Sequence, residues 1–303
     1  MKTTLTILGC GSALPTRKNF PTAQILEIRD KQFLIDCGEG TQIRMRQMGV
    51  KTNRLGHIFI SHLHGDHCFG LIGLISSFGM LNRTAELHIH AQVDLEKILT
   101  PLLQYFCKEL PFNVIFHTIN PRKHELIYED RSLQVFSIPL KHRVPCCGFL
   151  FEEKPRERHI LREMIDFYHI PTWRIPKIKQ GEDFTTEEGE IIPNLQLTTA
   201  SDLPKRFAYC SDTAYSSKII PIIKGVDCLY HESTFMDGEM IRSNQTEHST
   251  ARQAAEIAKK ANVKRLIIGH YSARYNNQNE LLNEAKEVFE NTVLGEDMTV
   301  YEI

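Results

Sequence analysis

None of the eight cysteines (Cys10, Cys37, Cys68, Cys107, Cys146, Cys147, Cys210 and Cys228) stands in a C-x-x-C spacing. Without that pairing the eight read as buried thiols in a reducing compartment. No uninterrupted apolar run approaches the roughly 20 residues that a membrane span needs. Nor does the chain start with the long apolar core of a signal peptide: a Thr-rich alternation runs into Gly9-Cys10-Gly11-Ser12, which reads as a strand and a turn. The expectation is therefore a cytoplasmic protein with no membrane contact. Charge of one sign is missing as well. A net charge of -1 excludes a uniformly basic coat, so any polyanion would have to be met by local basic surface. The glycine-rich turn Asp36-Cys37-Gly38-Glu39-Gly40-Thr41-Gln42 lacks the Lys-Ser/Thr of a P-loop and the G-x-G-x-x-G spacing, which removes a phosphate loop. What is present is the composition of a soluble enzyme-sized protein, 42% hydrophobic and 24% charged over 303 residues, enough for a substantial core.

Against that ordinary background, Ser61-His62-Leu63-His64-Gly65-Asp66-His67 gathers three imidazoles and a carboxylate between the apolar run Ile58-Phe59-Ile60 and a helix-like stretch from Phe69 to Leu81. Four polar side chains so close together do not serve core packing. Imidazole nitrogen and carboxylate oxygen form the ligand set of zinc and its divalent neighbours. On an extended loop His62 and His64 project to one side and can hold one ion, while Asp66 and His67 at the turn into the helix reach a second. Gly65 is expected to supply the bend between the two pairs.

Along the rest of the chain, strands are expected at Thr4 to Leu8, Ala23 to Ile28, Gln32 to Ile35, His57 to Ile60, Glu86 to Ala91, Val114 to Ile119, Glu125 to Tyr128 and Leu133 to Pro139. Helices are expected at Thr41 to Met48, stopped by Gly49, and at Asp94 to Tyr105. His88 and His90 share one strand face, but with no acidic partner following they read as structural. His142 follows a strand end and is placed to close a metal site. The adjacent Cys146 and Cys147 are awkward for joint chelation and read as structural. Asp36 is either a group steadying the metal loop or a helix cap. From Phe151 to about Ile192 the chain changes character. Basic residues outnumber acidic ones seven to three between Lys154 and Lys179, interleaved with Tyr168, His169 and the sole Trp173. The reading is an excursion that meets an anionic partner or packs as a solvated arm. Strands then return at Arg206 to Cys210, Val226 to His231 and Lys264 to Ile268. Asp212, a carboxylate at the edge of an apolar strand, is a ligand candidate because burial without a partner would be costly. A helix from about Glu247 to Ala261, capped by Ser249 or Thr250, a helix at Glu280 to Asn291 and a strand at Thr299 to Tyr301 complete the chain.

The H-x-H-x-D-H run between strand and helix resembles the hallmark of the metallo-β-lactamase superfamily. That resemblance implies an α/β fold, a four-layer αβ/βα sandwich with a metal centre at the upper edge of two sheets. Seven further stretches narrow it: Gly9-Cys10-Gly11-Ser12-Ala13-Leu14-Pro15-Thr16, Leu34 to Gln42, His142-Arg143-Val144-Pro145 with Gly148, Ser211-Asp212-Thr213, His231-Glu232-Ser233-Thr234-Phe235, His248-Ser249-Thr250-Ala251 and Gly269-His270-Tyr271-Ser272-Ala273-Arg274-Tyr275. Together they resemble the ribonuclease Z family of tRNA 3′-processing endonucleases over nearly the whole chain. The resemblance implies two Zn2+ ions, with Mn2+ or Co2+ as substitutes. His62, His64 and His142 would hold one, Asp66, His67 and His270 the other, and Asp212 would bridge. It also implies that Asp66 orients the attacking water or takes its proton, and that His248, with Glu232 as partner, protonates the leaving ribose oxygen; simple helix capping is the other reading of the His248 segment. The products would be a tRNA with a 3′ hydroxyl and a trailer with a 5′ phosphate. A homodimer is implied, as is a single domain over 1–303 with a flexible basic arm at 151–192 that binds precursor tRNA. Two departures stand out. The arm reads His169-Ile170-Pro171-Thr172-Trp173-Arg174-Ile175-Pro176-Lys177 without the family's usual Gly-Pro element, and the basic segment before Ser211 is reduced to Leu203-Pro204-Lys205-Arg206. A small-molecule phosphodiesterase or lactonase of the same fold is the alternative.

Overall fold

The computed structural model describes residues 3–303. Two compact units emerge: one of residues 3–130, 134–152 and 205–303, and a smaller one of residues 131–133 and 153–204.

In the larger unit, the strands Thr299–Glu302, Thr4–Gly9, Ala23–Ile28, Lys31–Ile35, Leu55–Phe59, Leu87–Ala91 and Val114–Thr118 form one seven-stranded sheet in that order. Thr292–Leu294, Leu266–Gly269, Cys228–Glu232, Arg206–Cys210, Cys147–Glu153, Leu133–Pro139 and Leu126–Glu129 form the other. Both sheets are mixed, with antiparallel pairs on one side and parallel pairs on the other. Aromatic side chains fill the space between them: Phe33 lies 5.7 Å from Phe151, and Phe59 lies 5.4 Å from Phe149, ring centre to ring centre. On its outer face the first sheet buries Leu34, Ile58 and Ile89 against Leu71, Leu74, Phe78, Leu95 and Leu99 of the helices Leu71–Met80 and Val93–Phe106. The helices Ala251–Lys260 and Asn279–Lys286 pack along the second sheet. Sheet faces that are apolar on both sides need such double cover, hence the four layers.

Local chemistry explains most element ends. Arg29 (φ 49°) and Asp30 (φ 68°) both adopt left-handed backbone, the two-residue turn whose twist suits a hairpin. Thr250 caps the helix Ala251–Lys260, accepting from Gln253 N while the Gln253 side chain returns to Thr250 N–H. Two elements depart from expectation. Cys147–Glu153 is a full strand: the chain does not leave the core at Phe151, because Phe149 and Phe151 are both needed between the sheets. An unexpected short helix, Gly65–Cys68, forms within the metal motif itself, ahead of the expected helix, which runs Leu71–Met80.

The smaller unit is organised around its own cluster of Ile170, Ile178, Phe184, Ile192 and Leu197. Two short antiparallel pairs, His159–Ile160 with Thr198–Thr199 and Phe184–Thr185 with Ile191–Ile192, frame it. Asn194 ties it together, its amide donating to the carbonyls of Ile178 and Glu182 at 2.6 and 2.8 Å. Its basic residues are partly neutralised: Lys179 pairs with Glu157 at 2.9 Å and Arg156 approaches Glu153 and Asp202. Glu182, Asp183, Glu187, Glu188 and Glu190 follow the basic stretch directly. Trp173 and Phe167 remain exposed.

Candidate metal centre

Each of the seven expected ligands follows the C-terminal end of a strand: His62, His64, Asp66 and His67 after Leu55–Phe59, His142 after Leu133–Pro139, Asp212 after Arg206–Cys210 and His270 after Leu266–Gly269. The structure brings them into two groups whose donor atoms lie within 4.8 Å of one another, one of His62, His64, His142 and Asp212, the other of Asp66, His67 and His270. Asp212 faces both. Its Oδ2 lies 3.5 Å from His62 Nε2 and 3.6 Å from His142 Nε2, while its Oδ1 lies 3.2 Å from His67 Nε2 and 3.1 Å from His270 Nε2. Asp66 Oδ2 completes the second group at 3.6 Å from both His67 Nε2 and His270 Nε2. His64 presents Nδ1, 2.9 Å from His62 Nε2.

Outer contacts fix which nitrogen each ring offers. Asp36 Oδ2 accepts from His67 Nδ1 at 2.8 Å. Ser61 Oγ gives its proton to Asp36 at 2.9 Å and so accepts from His62 Nδ1 at 3.1 Å. Thr234 Oγ1 gives its proton to Glu232 at 2.5 Å and accepts from His270 Nδ1 at 3.0 Å. His142 Nδ1 donates to the carbonyl of Glu247 at 3.1 Å. Each of these four rings can thus donate from Nδ1 and turn Nε2 inward, the tautomer that suits a metal held through Nε2.

These residues fit divalent cations. His67 Nε2 and His270 Nε2 are buried with no hydrogen-bond partner among the described residues, an unusual waste unless an ion takes them. Electrostatics agree. Burial opposes charge on His67, yet the carboxylates of Asp212, Asp36 and Asp66 raise its pKa well above the ordinary value, so without a cation the site draws a proton in its place. Burial would raise Asp212, but His270, His67 and His62 outweigh it and hold the carboxyl well below its usual range.

Asp36 is not a helix cap. It is fully buried, accepts also from Ser61 N at 2.8 Å and from Tyr209 OH at 2.7 Å, and anchors the metal loop. Gly38 lets this turn close onto the loop, since a Cβ there would meet the carbonyl oxygen of Asp66 at 2.5 Å. Gly65 has a different part from the expected bend: it opens a helix with ordinary φ, and a Cβ would strike the Phe69 ring at 2.3 Å. His248 Nδ1 donates to Glu232 Oε1 at 2.8 Å, and a ring nitrogen of His248 lies within 4.8 Å of the donor atoms of Asp212 and His270. The segment's capping is done by Thr250, and Ser249 Oγ donates to the Thr213 carbonyl, so His248 is free of that task. The sequence reading missed Tyr209, Ser61, Thr234 and the N–H of Ala13, which donates to Asp66 Oδ2 at 2.8 Å. Only the Gly9 to Pro15 turn signalled the last of these.

Cys146 and Cys147 are buried beside the site, and burial first of all pushes both thiols upward, so they remain protonated packing groups. His88 and His90 lie elsewhere, in a four-ring cluster with His57 and His117. His57 Nδ1 is 3.1 Å from His90 Nε2, and His88 Nδ1 is 3.0 Å from His117 Nε2.

Two mixed sheets in a four-layer sandwich, with seven His and Asp side chains at one edge, define a metal-dependent hydrolase of the metallo-β-lactamase fold. Residues 194–271 match the family model described as beta-lactamase superfamily domain, and residues 3–160 match that described as anti-Pycsar protein Apyc1. The fold is similar to the crystal structure of human tRNase Z, short form (TM-score 0.72, 24% identity, 98% of each chain), and to a metallo-beta-lactamase fold protein of Bacillus subtilis (TM-score 0.69, 18% identity, all of both chains). In sequence it is 59% identical to ribonuclease Z of Parabacteroides distasonis over 97% of this chain and 96% of that one. It is 52% identical to ribonuclease Z of Porphyromonas gingivalis over 96% of each. The chain belongs to the ribonuclease Z family. No described helix is long and apolar enough to cross a membrane.

Proposed function

We propose that this chain is a zinc-dependent endoribonuclease that hydrolyses one phosphodiester at the 3′ end of precursor tRNA, leaving a 3′ hydroxyl on the tRNA and a 5′ phosphate on the trailer. The observation that carries the reading is the Asp212 carboxylate, with one oxygen toward each ligand group, beside a His248–Glu232 pair. His62, His64, His142 and Asp212 would hold one divalent cation, and Asp66, His67, His270 and Asp212 the other. Such a pair lowers the pKa of a water and offsets charge growing on the phosphate oxygens.

The protein groups do the rest. Asp66 is held by the Ala13 N–H; burial would raise its pKa, but His67 and His270 outweigh that and keep it below the usual carboxylate range. So depressed, it is a poor base and serves to orient the attacking water. For His248, burial is likewise outweighed, here by the Glu232 carboxylate, and its pKa rises to about 9. It thus holds a proton at neutral pH, next to where the ribose 3′ oxygen departs, and can donate it.

Precursor tRNA is the substrate in this reading, and we place part of its recognition on the inserted unit, whose exposed Trp173 and basic residues Arg162 and Lys177 offer stacking and charge. A homodimer and a cytoplasmic location belong to the same proposal. End-mapped cleavage of precursor tRNA, with and without chelator, tests the activity; hydrolysis of bis-p-nitrophenyl phosphate with no cut in any tRNA would favour a small-molecule esterase. Deleting Pro155 to Lys179 across a short Gly-Ser linker should weaken tRNA binding and its salt dependence while sparing the ester. Equal loss on both substrates would assign the unit to folding.

A further inference from the structure

Next to the metal centre, the loop Pro139–Cys146 borders a cavity of about 460 Å³ whose charged lining is entirely basic: Arg122, Lys141, Arg143 and Lys218. No Asp or Glu lines it. All four side chains are exposed, and none has an ion-pair or hydrogen-bond partner among the described residues. Several other cations of the chain do have an acidic partner. Arg206 sits 2.6 Å from Glu152, Lys264 2.7 Å from Asp227, Arg252 2.7 Å from Glu287 and Arg274 2.5 Å from Glu239. Four unpaired cations around one concavity repel each other, and the arrangement is stabilised by an anion with several separated charges.

Position adds to charge. Lys141 and Arg143 flank the ligand His142. Their loop is pinned to that of Asp212, with Lys141 N–H donating to Thr213 Oγ1 at 3.2 Å and Ala214 N–H donating to the Lys141 carbonyl at 2.8 Å. Arg143 also lines a second cavity, of about 480 Å³, with His64 and Asp66. It therefore stands where the two openings meet the metal ligands.

We infer that the Arg122–Lys141–Arg143–Lys218 cavity is a subsite for RNA backbone phosphates next to the scissile one. The inference rests on the ribonuclease reading for its substrate. The phosphates belong either to the single-stranded trailer or to the acceptor stem, and the test separates the two.

Arg122 and Lys218 are the cations farthest in sequence from a metal ligand, so the variant is Arg122→Ala/Lys218→Ala. Its KM and kcat are measured on two precursors, one with a one-nucleotide trailer and one with a long single-stranded trailer, and its binding of a single-stranded oligoribonucleotide is followed against salt. KM for the long-trailer precursor is expected to rise about tenfold with kcat little changed, and the slope of log affinity against log salt to shrink by about 0.7 for each single-strand phosphate that is no longer neutralised. Arg122→Lys/Lys218→Arg should restore both. A defect confined to the long trailer assigns the subsite to the trailer, and an equal defect on both precursors assigns it to the acceptor stem. Wild-type KM on both precursors with an unchanged salt slope would overturn it. If the unmodified protein leaves precursor tRNA uncut, the ribonuclease reading fails, and the oligoribonucleotide slope alone decides the subsite.

Discussion

Asp36→Asn probes the anchor beneath the metal loop with almost no change in shape. Its Oδ1 accepts from Ser61 N, and its Oδ2 accepts from Ser61 Oγ, Tyr209 OH and His67 Nδ1, all between 2.7 and 2.9 Å. Every group around this fully buried carboxylate is a donor. An asparagine has one oxygen and one NH2, so its best orientation keeps the oxygen toward the three side-chain donors and turns the NH2 against the Ser61 N–H. One buried donor is then left facing another, at about 1–3 kcal/mol, and the remaining bonds lose their ionic strengthening, so a total near 3 kcal/mol is expected. Backbone strain does not confuse the comparison: φ at Asp36 is 55°, a region that Asn adopts as readily as Asp. His67 keeps a partner on Nδ1, but a neutral one, which should lower metal affinity on its side about 10- to 100-fold. Urea unfolding of metal-free protein reads the first effect, and zinc titration against a competing chelator reads the second. Lower stability with both zinc equivalents held at wild-type affinity would refute the anchoring role, and no change in either would refute the hydrogen-bond account itself.

Asp212→Ala should cost more activity than His270→Ala and leave the protein short of its second metal equivalent; two full equivalents in an active variant would exclude bridging. His248→Ala should slow single-turnover cleavage of bound precursor on the order of a hundredfold with metal content intact. In the unmodified protein cleavage should fall as pH rises through the His248 pKa, and Glu232→Gln should move that falling limb to lower pH. Acid should also act on the imidazole cluster away from the site. Burial first, then neighbouring imidazoles, depress His57 to about 4 and His90 to about 2, while Asp130 pulls His57 upward and Lys31 pushes it down. A depressed folded pKa means stability that is complete above the unfolded value near 6.5 and lost as pH falls below it, on the order of 2 kcal/mol per ring at pH 5. Urea midpoints between pH 7 and 5 measure this loss, which should shrink in His90→Leu; an equal loss there would clear the cluster.

The ligands were legible because they sit at strand ends in dense polar motifs, where apolar periodicity breaks off abruptly and a carboxylate or imidazole has no packing reason to be. Their supports were not. Tyr209 reaches Asp36 across 173 residues, and its sequence context, Phe207-Ala208-Tyr209-Cys210, is that of any buried strand. Only the register between sheets turns that hydroxyl toward a carboxylate. Charge in the inserted unit was only partly legible for a related reason. A window closing at Lys179 counts the basic run and stops short of the acidic residues from Glu182 to Glu190 that follow it, and pairs such as Lys179 with Glu157 form only once the segment is folded.

Backbone strain was the least legible feature. Asp36 (φ 55°), Asp212 (φ 55°) and His270 (φ 60°) all take left-handed conformations just beyond strand ends, where glycine would do so without penalty. Each such residue costs of order 1 kcal/mol or more, so the surroundings must impose the conformation. For Asp36, four donors do so. His270 is held through Thr234 and by the pairing of Tyr271 N with Cys10 O. Asp212 has the fewest protein bonds of the three: its Oδ1 accepts from Ser211 Oγ at 3.0 Å, and otherwise its oxygens face imidazole nitrogens. The turn is held instead at its neighbour, where Thr213 N–H donates to Glu232 Oε1 and Ser249 Oγ donates to the Thr213 carbonyl, both at 2.6 Å. Metal binding should therefore slow amide exchange at Asp212 itself, with little change at Thr213, whose N–H is already bonded to Glu232; equal slowing at both would refute this division.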